Sequence, residues 1–317
     1  MRLAVEAWAP EYGASNNTAS TSGELLPTGA AVDVGVEVAE AAWAPQAVTG
    51  VAPAGRVRFV DGVRRVDARV WIDAEDGMPR PGVAASYGAG VVRCEGDDAE
   101  VETCAVRRGL FSAATELAAL VTRSGAYAPR AATGETAEDL VAGVQQRMRD
   151  LEAELAAGLG DADLLIVDGP LRQQGLGPRG VGYVKTHQTA YLAPALARVV
   201  GALHAGERTP LFLTTTSWTR YSWYVRLPGA QAHAWSGIIR AEVSGELDPG
   251  EARRLADLVT ATLPRYASTP EKDPRAPQNL HPIAELERRL RHRLGDPAVL
   301  YRALTMAATR RAAPVPA

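Results

Sequence analysis

The sequence predicts an α/β protein, a single domain in which helices pack on a mixed sheet. Strand-like alternation is dense between Arg56 and Val106, and a long amphipathic helix follows at Thr136 to Leu159. The short apolar run from Leu164 to Asp168 comes directly after that helix and is typical of a buried strand. Consecutive strands followed by strands that alternate with helices favour a mixed sheet with flanking helices.

The first 50 residues are predicted to pack on or extend the main domain, which we expect to span residues 55–308. Residues 14–30 are small, polar and aperiodic, so we expect a mobile loop there. Val32 to Val38 alternate apolar with polar or small residues, which indicates a strand.

A β-meander followed by a helix is predicted after Arg56. Its first two strands are expected to be joined by a short turn that begins near Asp61. The strands are expected at 56–61, 65–72, 83–94 and 101–106, and the helix at 110–122.

The clearest helix signal in the chain runs from Thr136 to Leu159. Thr136 can cap its start, Glu138 and Asp139 favour its first turn, and Gly160 stops it. Further strands are expected at 164–168, 181–185, 211–214, 222–227 and 237–243, and further helices at 189–203, 249–263, 282–294 and 297–306.

The composition indicates an intracellular protein. No run of about 18 apolar residues exists, the N-terminal residues lack a signal-peptide core, and two cysteines are too few for a disulfide framework. We therefore expect a cytoplasmic protein without membrane contact. The net charge of −3 argues against a free-standing, tightly binding nucleic-acid protein, but a protein that a partner loads onto its substrate escapes that requirement.

Asp61 and Asp168 each end an apolar run, and each is followed at once by glycine. Asp-Gly is a favoured turn pair, so a simple turn explains either segment alone. A buried carboxylate is costly unless a charge meets it, however, and two such strand ends can lie side by side on one sheet. Together the two aspartates favour a site for Mg²⁺ or Mn²⁺.

Phosphodiester hydrolysis by two metal ions needs a third carboxylate. The RNase H-like arrangement supplies it as a glutamate on the helix directly before the second aspartate strand. That helix offers Glu152 and Glu154, which lie on either side of the apolar stripe, so helix geometry does not choose between them. Glu116, on the helix predicted at 110–122, is expected to point toward water.

Three ordered segments resemble the NurA family of nucleases: Phe59-Val60-Asp61-Gly62, Arg147–Glu152 before Leu165–Leu171, and Val181–Lys185. The match covers about residues 55–305. The resemblance implies an RNase H-like fold, a homodimer, Mn²⁺- or Mg²⁺-dependent cleavage of DNA and a partnership with the hexameric ATPase HerA in DNA end resection. It also implies that Asp61, Glu152 and Asp168 are the acidic site residues.

The C-terminal part departs from the family pattern. The family tends to carry Tyr-Pro and then a histidine on the next helix, whereas this chain has His281-Pro282. Glu287 falls on the apolar side of the following helix, so the fourth active-site group is either Glu287 or His281. The alternative function is therefore a weak or inactive NurA-like partner subunit of a HerA-type ATPase.

Four further residues are candidates for DNA contact. Lys185 ends a strand and is one of only two lysines, so it could hold a phosphate or simply be a surface charge. Arg220, Trp223 and Arg226 combine arginine with an aromatic residue, as single-strand-binding surfaces do, although one aromatic residue of this strand could belong to the core.

Overall fold

The computed structural model describes residues 26–73, 78–114, 116–157, 159, 162–172, 176–229 and 233–312. The fold is mixed α/β, with a large mixed sheet of 13 strands and flanking helices, as predicted. Residues 14–25 of the predicted mobile loop lie outside the described residues. Within the described ranges, no helix has the length and apolar character needed to cross a membrane.

The described residues form 15 strands and five α-helices. The strands are β1 (Leu26–Pro27), β2 (Ala31–Asp33), β3 (Gln46–Ala47), β4 (Arg56–Asp73), β5 (Pro79–Glu95), β6 (Asp98–Ser112), β7 (Leu120–Thr122), β8 (Gly125–Ala131), β9 (Leu164–Asp168), β10 (Gly180–Val184), β11 (Thr189–Ala190), β12 (Glu207–Arg208), β13 (Phe212–Thr215), β14 (Thr219–Arg226) and β15 (Ile238–Ser244). The helices are α1 (Ala137–Ala157), α2 (Pro194–Ala202), α3 (Pro249–Thr262), α4 (His281–Arg293) and α5 (Pro297–Ala312).

The chain divides into two compact units. The first comprises Met1–Phe59, Val92–Glu100 and Leu159–Ala284, and the second comprises Val60–Val91, Val101–Gly158 and Glu285–Ala317.

In the first unit, the strand order is β2-β13-β14-β15-β10-β9. Strand β10 runs parallel to β9 and antiparallel to β15. Apolar residues of α2 and of the strands form a core together with Trp43. Part of the first 50 residues therefore packs on this unit. The core residues include Trp43, Leu192, Leu196, Val200, Phe212, Tyr224 and Ile238.

In the second unit, the apolar stripe of α1 packs on residues of β5 and β6, as its helical spacing predicts. Thr136 caps this helix, since the Asp139 N–H donates to Thr136 Oγ1 at 3.1 Å and Thr136 Oγ1 donates to Asp139 Oδ2 at 2.6 Å. The stripe consists of Leu140, Val144, Met148 and Leu151, which contact Val83, Ala85, Tyr87, Ala89 and Phe111.

The prediction of a helix at 110–122 is wrong, because this segment contains strand residues and a loop. Strand β6 continues to Ser112, where its last four residues pair in parallel with β8, and β7 then forms a hairpin with β8. Leu110 and Phe111 are buried as strand residues, so tertiary pairing overrides their helical spacing. Glu116 consequently lies in a loop rather than on a helix.

Two other predicted boundaries are also wrong. The predicted turn at Asp61-Gly62 does not form, because β4 continues without interruption from Arg56 to Asp73. The helix predicted at 189–203 begins only at Pro194, which takes a first-turn position where a missing N–H has no cost.

Candidate metal centre

Asp61 lies in the interior of β4 and is 5% exposed. Its Oδ1 accepts a hydrogen bond from the N–H of Gly62 at 2.7 Å, which fixes the direction of the carboxylate. Gly62 is needed for a second reason: a Cβ at this position would collide with the carboxylate of Glu152 and approach Met148 Cγ to 2.8 Å. The glycine therefore lets helix α1 bring Glu152 against the strand residue that follows Asp61.

The two glutamates that helix geometry could not separate have different environments. Glu152 is 7% exposed and packs beside the buried Leu151. Glu154 has 55% of its side chain exposed, and its Oε1 accepts from Arg107 Nη2 at 2.6 Å. Glu154 is thus an exposed, ion-paired residue, while Glu152 lies against Gly62.

Asp168 is the last residue of β9, as the sequence predicted. Gly169 follows with φ of 101°, a conformation that favours glycine, and its N–H donates to the Tyr183 carbonyl at 2.8 Å. Lys185 Nζ lies 2.6 Å from Asp168 Oδ2, and the two side chains are 10% and 15% exposed. The predicted strand-end lysine is therefore paired with the predicted strand-end aspartate.

A buried glutamate fixes the loop that leaves Asp168. The Leu171 N–H donates to Oε2 of the fully buried Glu242 at 2.9 Å, and Arg240 balances that charge at 2.8 Å from Oε1. The same loop crosses Gly182 so closely that a Cβ there would collide with the Leu171 backbone. These contacts hold the turn after Asp168 in one position.

Lys185 is held from its other side by the loop before α4. Its Nζ donates to Asn279 Oδ1 at 2.9 Å, and Asn279 Nδ2 donates to Asp273 Oδ2 at 2.7 Å. The neighbouring Tyr183 donates its hydroxyl to the Gln278 carbonyl at 2.6 Å. Complete burial, and then the charge of Asp168, raise the pKa of Tyr183 well above its usual range, so it remains a neutral donor.

Two carboxylates of the second unit form an acidic cluster. Asp61 and Glu287 each offer one carboxylate oxygen, and these oxygens lie within 4.8 Å of each other. Glu287, on α4, is 7% exposed and has Arg291 Nη2 at 3.2 Å from Oε2. Glu152 is not a member of this group.

The donor set fits a hard divalent cation. Carboxylate oxygens are the ligands that Mg²⁺ and Mn²⁺ take in proteins. Opposite ligands of a Mg²⁺ ion lie about 4.2 Å apart, twice the metal–oxygen distance of about 2.1 Å. The spacing of up to 4.8 Å in the cluster is close enough for small side-chain rotations to close it.

His281, the alternative fourth group, is not a member of the acidic cluster. It is the first residue of α4 and is half-buried. Burial, and then the charge of Lys272, lower the pKa of His281. Among the described residues, the acidic cluster contains Glu287 and no histidine.

Three of the predicted DNA contacts are buried. Trp223 is completely buried and Arg226 is 1% exposed, so neither side chain is accessible to a base or a phosphate. Arg226 instead donates to backbone carbonyls, among them Ala234 at 2.7 Å and Gly201 at 3.1 Å. Arg220 is 9% exposed, with Nε 3.4 Å from Glu242 Oε1, which also indicates a structural role.

Sequence reasoning missed the residues that support the acidic ones. Glu242 and Asn279 are fully buried, and Asp273 is 7% exposed. Glu242 lies in a sequence pattern that is typical of a buried strand. Asp273 and Asn279 lie in or just after a Pro-rich stretch without periodicity. No local signal marks Glu242 and Asn279, because the residues they hold, Leu171 and Lys185, are 71 and 94 residues away in the chain.

Comparison with known proteins matches residues 137–291 to the NurA domain. Among solved structures, the NurA nuclease from Sulfolobus solfataricus aligns over 80% of this chain and 84% of that chain, at 11% identity and a TM-score of 0.45. Endonuclease V from Bacillus subtilis aligns over 77% and 86%, at 13% identity and a TM-score of 0.36. The catalytic domain of human endonuclease V aligns over 77% and 84%, at 17% identity and a TM-score of 0.31. No curated protein matches by sequence.

Proposed function

Because this chain is a NurA family protein, we propose that it is a metal-dependent nuclease that hydrolyses phosphodiester bonds in DNA. The observation that carries the proposal is the acidic cluster of Asp61 and Glu287, with carboxylate oxygens within 4.8 Å of each other. Buried carboxylates repel one another, so such a cluster favours occupation by cations.

Each residue of the candidate centre has a proposed role in binding a metal ion or the phosphate. Asp61, Asp168 and Glu287 would hold the first Mg²⁺ or Mn²⁺ ion, and Glu152, beside Gly62, would complete the place of a second. Bound divalent ions supply Lewis-acid activation of water and neutralise charge on the phosphate. Lys185 lies against Asp168 at 2.6 Å and would bind a non-bridging oxygen of the scissile phosphate.

The finer functional assignment rests on the family resemblance. An RNase H-like fold, a homodimer and DNA end processing with a HerA-like hexameric ATPase are what that resemblance implies for a cytoplasmic member. The net charge of −3 is compatible with delivery to DNA by such a partner.

The test is cleavage of end-labelled single- and double-stranded DNA by the purified protein, with Mn²⁺, Mg²⁺ or EDTA, and with or without the ATPase. We expect cleavage with Mn²⁺, none in EDTA, and none by the Asp61→Asn variant. Asp98→Asn, which changes an exposed aspartate at the β5–β6 hairpin, is the matched control and should cleave normally. No cleavage under any condition, together with stable binding to the ATPase, would favour the inactive partner subunit instead.

A further inference from the structure

Two arginines on the second unit face one another without a counter-charge. Arg64, on β4, donates from Nε to Gln145 Oε1 of α1. Arg149 follows Gln145 by four residues and therefore lies on the same face of the helix. Burial, and then the charge of Arg149, lower the pKa of Arg64, as expected when two guanidinium groups are close.

Neither arginine forms an ion pair with any residue in the described part of the chain. Nε of Arg149 is buried and has no hydrogen-bond partner there. Two nearby arginines, by contrast, form ion pairs with carboxylates. Arg147 Nη1 lies 3.3 Å from Asp150 Oδ2, and Arg107 Nη2 lies 2.6 Å from Glu154 Oε1. Arg64 and Arg149 therefore lack the carboxylate partner that Arg147 and Arg107 have.

The pair lies next to the glutamate of the candidate metal centre. Arg64 follows Gly62 by two residues on the same face of β4, a distance of about 6.7 Å along the strand. Arg149 precedes Glu152 by three residues on the same face of α1. Since the Glu152 carboxylate lies against Gly62, both arginines flank that contact on one side.

We propose that Arg64 and Arg149 form a clamp for a backbone phosphate of the nucleic acid, one that neighbours the scissile phosphate rather than the scissile group itself. This inference rests on the proposed nuclease function. Guanidinium groups bind phosphate oxygens through paired N–H donors, and an anion between two guanidinium groups removes their mutual repulsion. Gln145 holds Arg64 in place for this contact.

The clamp also accounts for DNA binding by a chain of negative net charge. Phosphate contacts require positive charge where the backbone passes, not over the whole protein. Two uncompensated arginines beside an acidic centre provide that local charge, while the acidic residues take cations.

The test is the salt dependence of binding to a fluorescein-labelled 30-base-pair DNA, measured by anisotropy in Ca²⁺ over a KCl series. We expect the Arg64→Gln/Arg149→Gln variant to bind at least about fivefold more weakly, with a log–log salt slope shallower by about 0.9, the value for one neutralised phosphate. The matched control is Arg198→Gln/Arg302→Gln, which removes two exposed arginines that also lack ion pairs in the described ranges and should change neither value. Arg64→Lys/Arg149→Lys should keep most of the slope, because it keeps the charge.

An unchanged slope and affinity in the glutamine variant, while the wild type cleaves DNA, would overturn the clamp and leave the nuclease proposal intact. Equal losses in the glutamine variant and its control would also overturn it, since they would show a general charge effect. A selective loss of slope in a protein that never cleaves DNA would support the clamp and contradict the nuclease proposal.

Discussion

Lys185 and Asp168 form an ion pair where two parallel strands end, with Lys185 Nζ 2.6 Å from Asp168 Oδ2. The pair is largely buried, and Asn279 fixes the ammonium group from the other side at 2.9 Å. The ammonium group neutralises the carboxylate of Asp168, which it would share with a divalent cation at the proposed centre.

Replacing this ammonium group should separate metal binding from turnover. We expect Lys185→Met to lower kcat by about 100-fold, because a donor aimed at the phosphate is lost, while Mn²⁺ binds at least as tightly. The exposed Lys272→Met removes the other lysine and should leave kcat unchanged. The measurement is kcat over a Mn²⁺ titration, and a normal kcat in Lys185→Met would refute the assigned contact.

Gly62→Ala should impair activity without removing any charged group. Its Cβ would collide with the Glu152 carboxylate and press on Met148, so Glu152 must move and stability should fall by about 1–3 kcal/mol. Gly201→Ala, in α2, is the matched control, because its Cβ meets only Ala234 at an ordinary 3.6 Å. Activity assays and urea unfolding of both variants decide the matter. Full activity in Gly62→Ala would show that the position of Glu152 is unimportant.

The identity of the fourth group can be tested by two substitutions assayed side by side. Glu287→Gln removes a negative oxygen of the acidic cluster at constant shape, so we expect at least about a 100-fold loss of activity and a higher Mn²⁺ requirement. His281→Tyr should be tolerated. The reverse result would assign the role to His281, and two silent variants would leave neither residue in the centre.

Acid stability should depend on Glu37. Burial raises its pKa, but the hydrogen bonds and charge of Arg208 outweigh burial and leave the pKa below the ordinary 4.5. Its contribution is therefore complete above about pH 4.5 and is lost as the pH falls further. We expect Glu37→Gln to cost about 1.5–3 kcal/mol at pH 7 and progressively less below pH 4.5, measured by urea unfolding. The exposed Glu40→Gln should show no such trend. A cost that is independent of pH would contradict the assignment.

Much of the fold could be predicted from local pattern. The stripe and cap of α1 are set by residues within one helix, and the run Leu164–Asp168 is a strand whose end coincides with its aspartate. The segment around Leu110 could not be predicted in this way, because its pairing with β8 decides its conformation and lies outside the local sequence.

The candidate centre was predictable only in part. Asp61 and Asp168 stand out because a carboxylate next to an apolar run is costly, and Glu287 because it lies on the apolar side of its helix. The burial of Trp223 was not evident, since alternation alone does not say which face of β14 is covered. Residues that act through a distant partner, such as Asn279, have no sequence signature at all.

The most direct test of the metal centre is thermal unfolding with and without Mn²⁺. Binding to the folded state should raise the Tm of the wild type, with a stabilisation of about 2.7 kcal/mol when free Mn²⁺ is about 100 times Kd. The Asp61→Ala/Asp168→Ala variant should fold with a lower Tm in EDTA, because Lys185 loses its ion pair with Asp168, and should show no Mn²⁺ shift. Equal Mn²⁺ shifts in the two proteins would show that the ion binds elsewhere and would contradict the account.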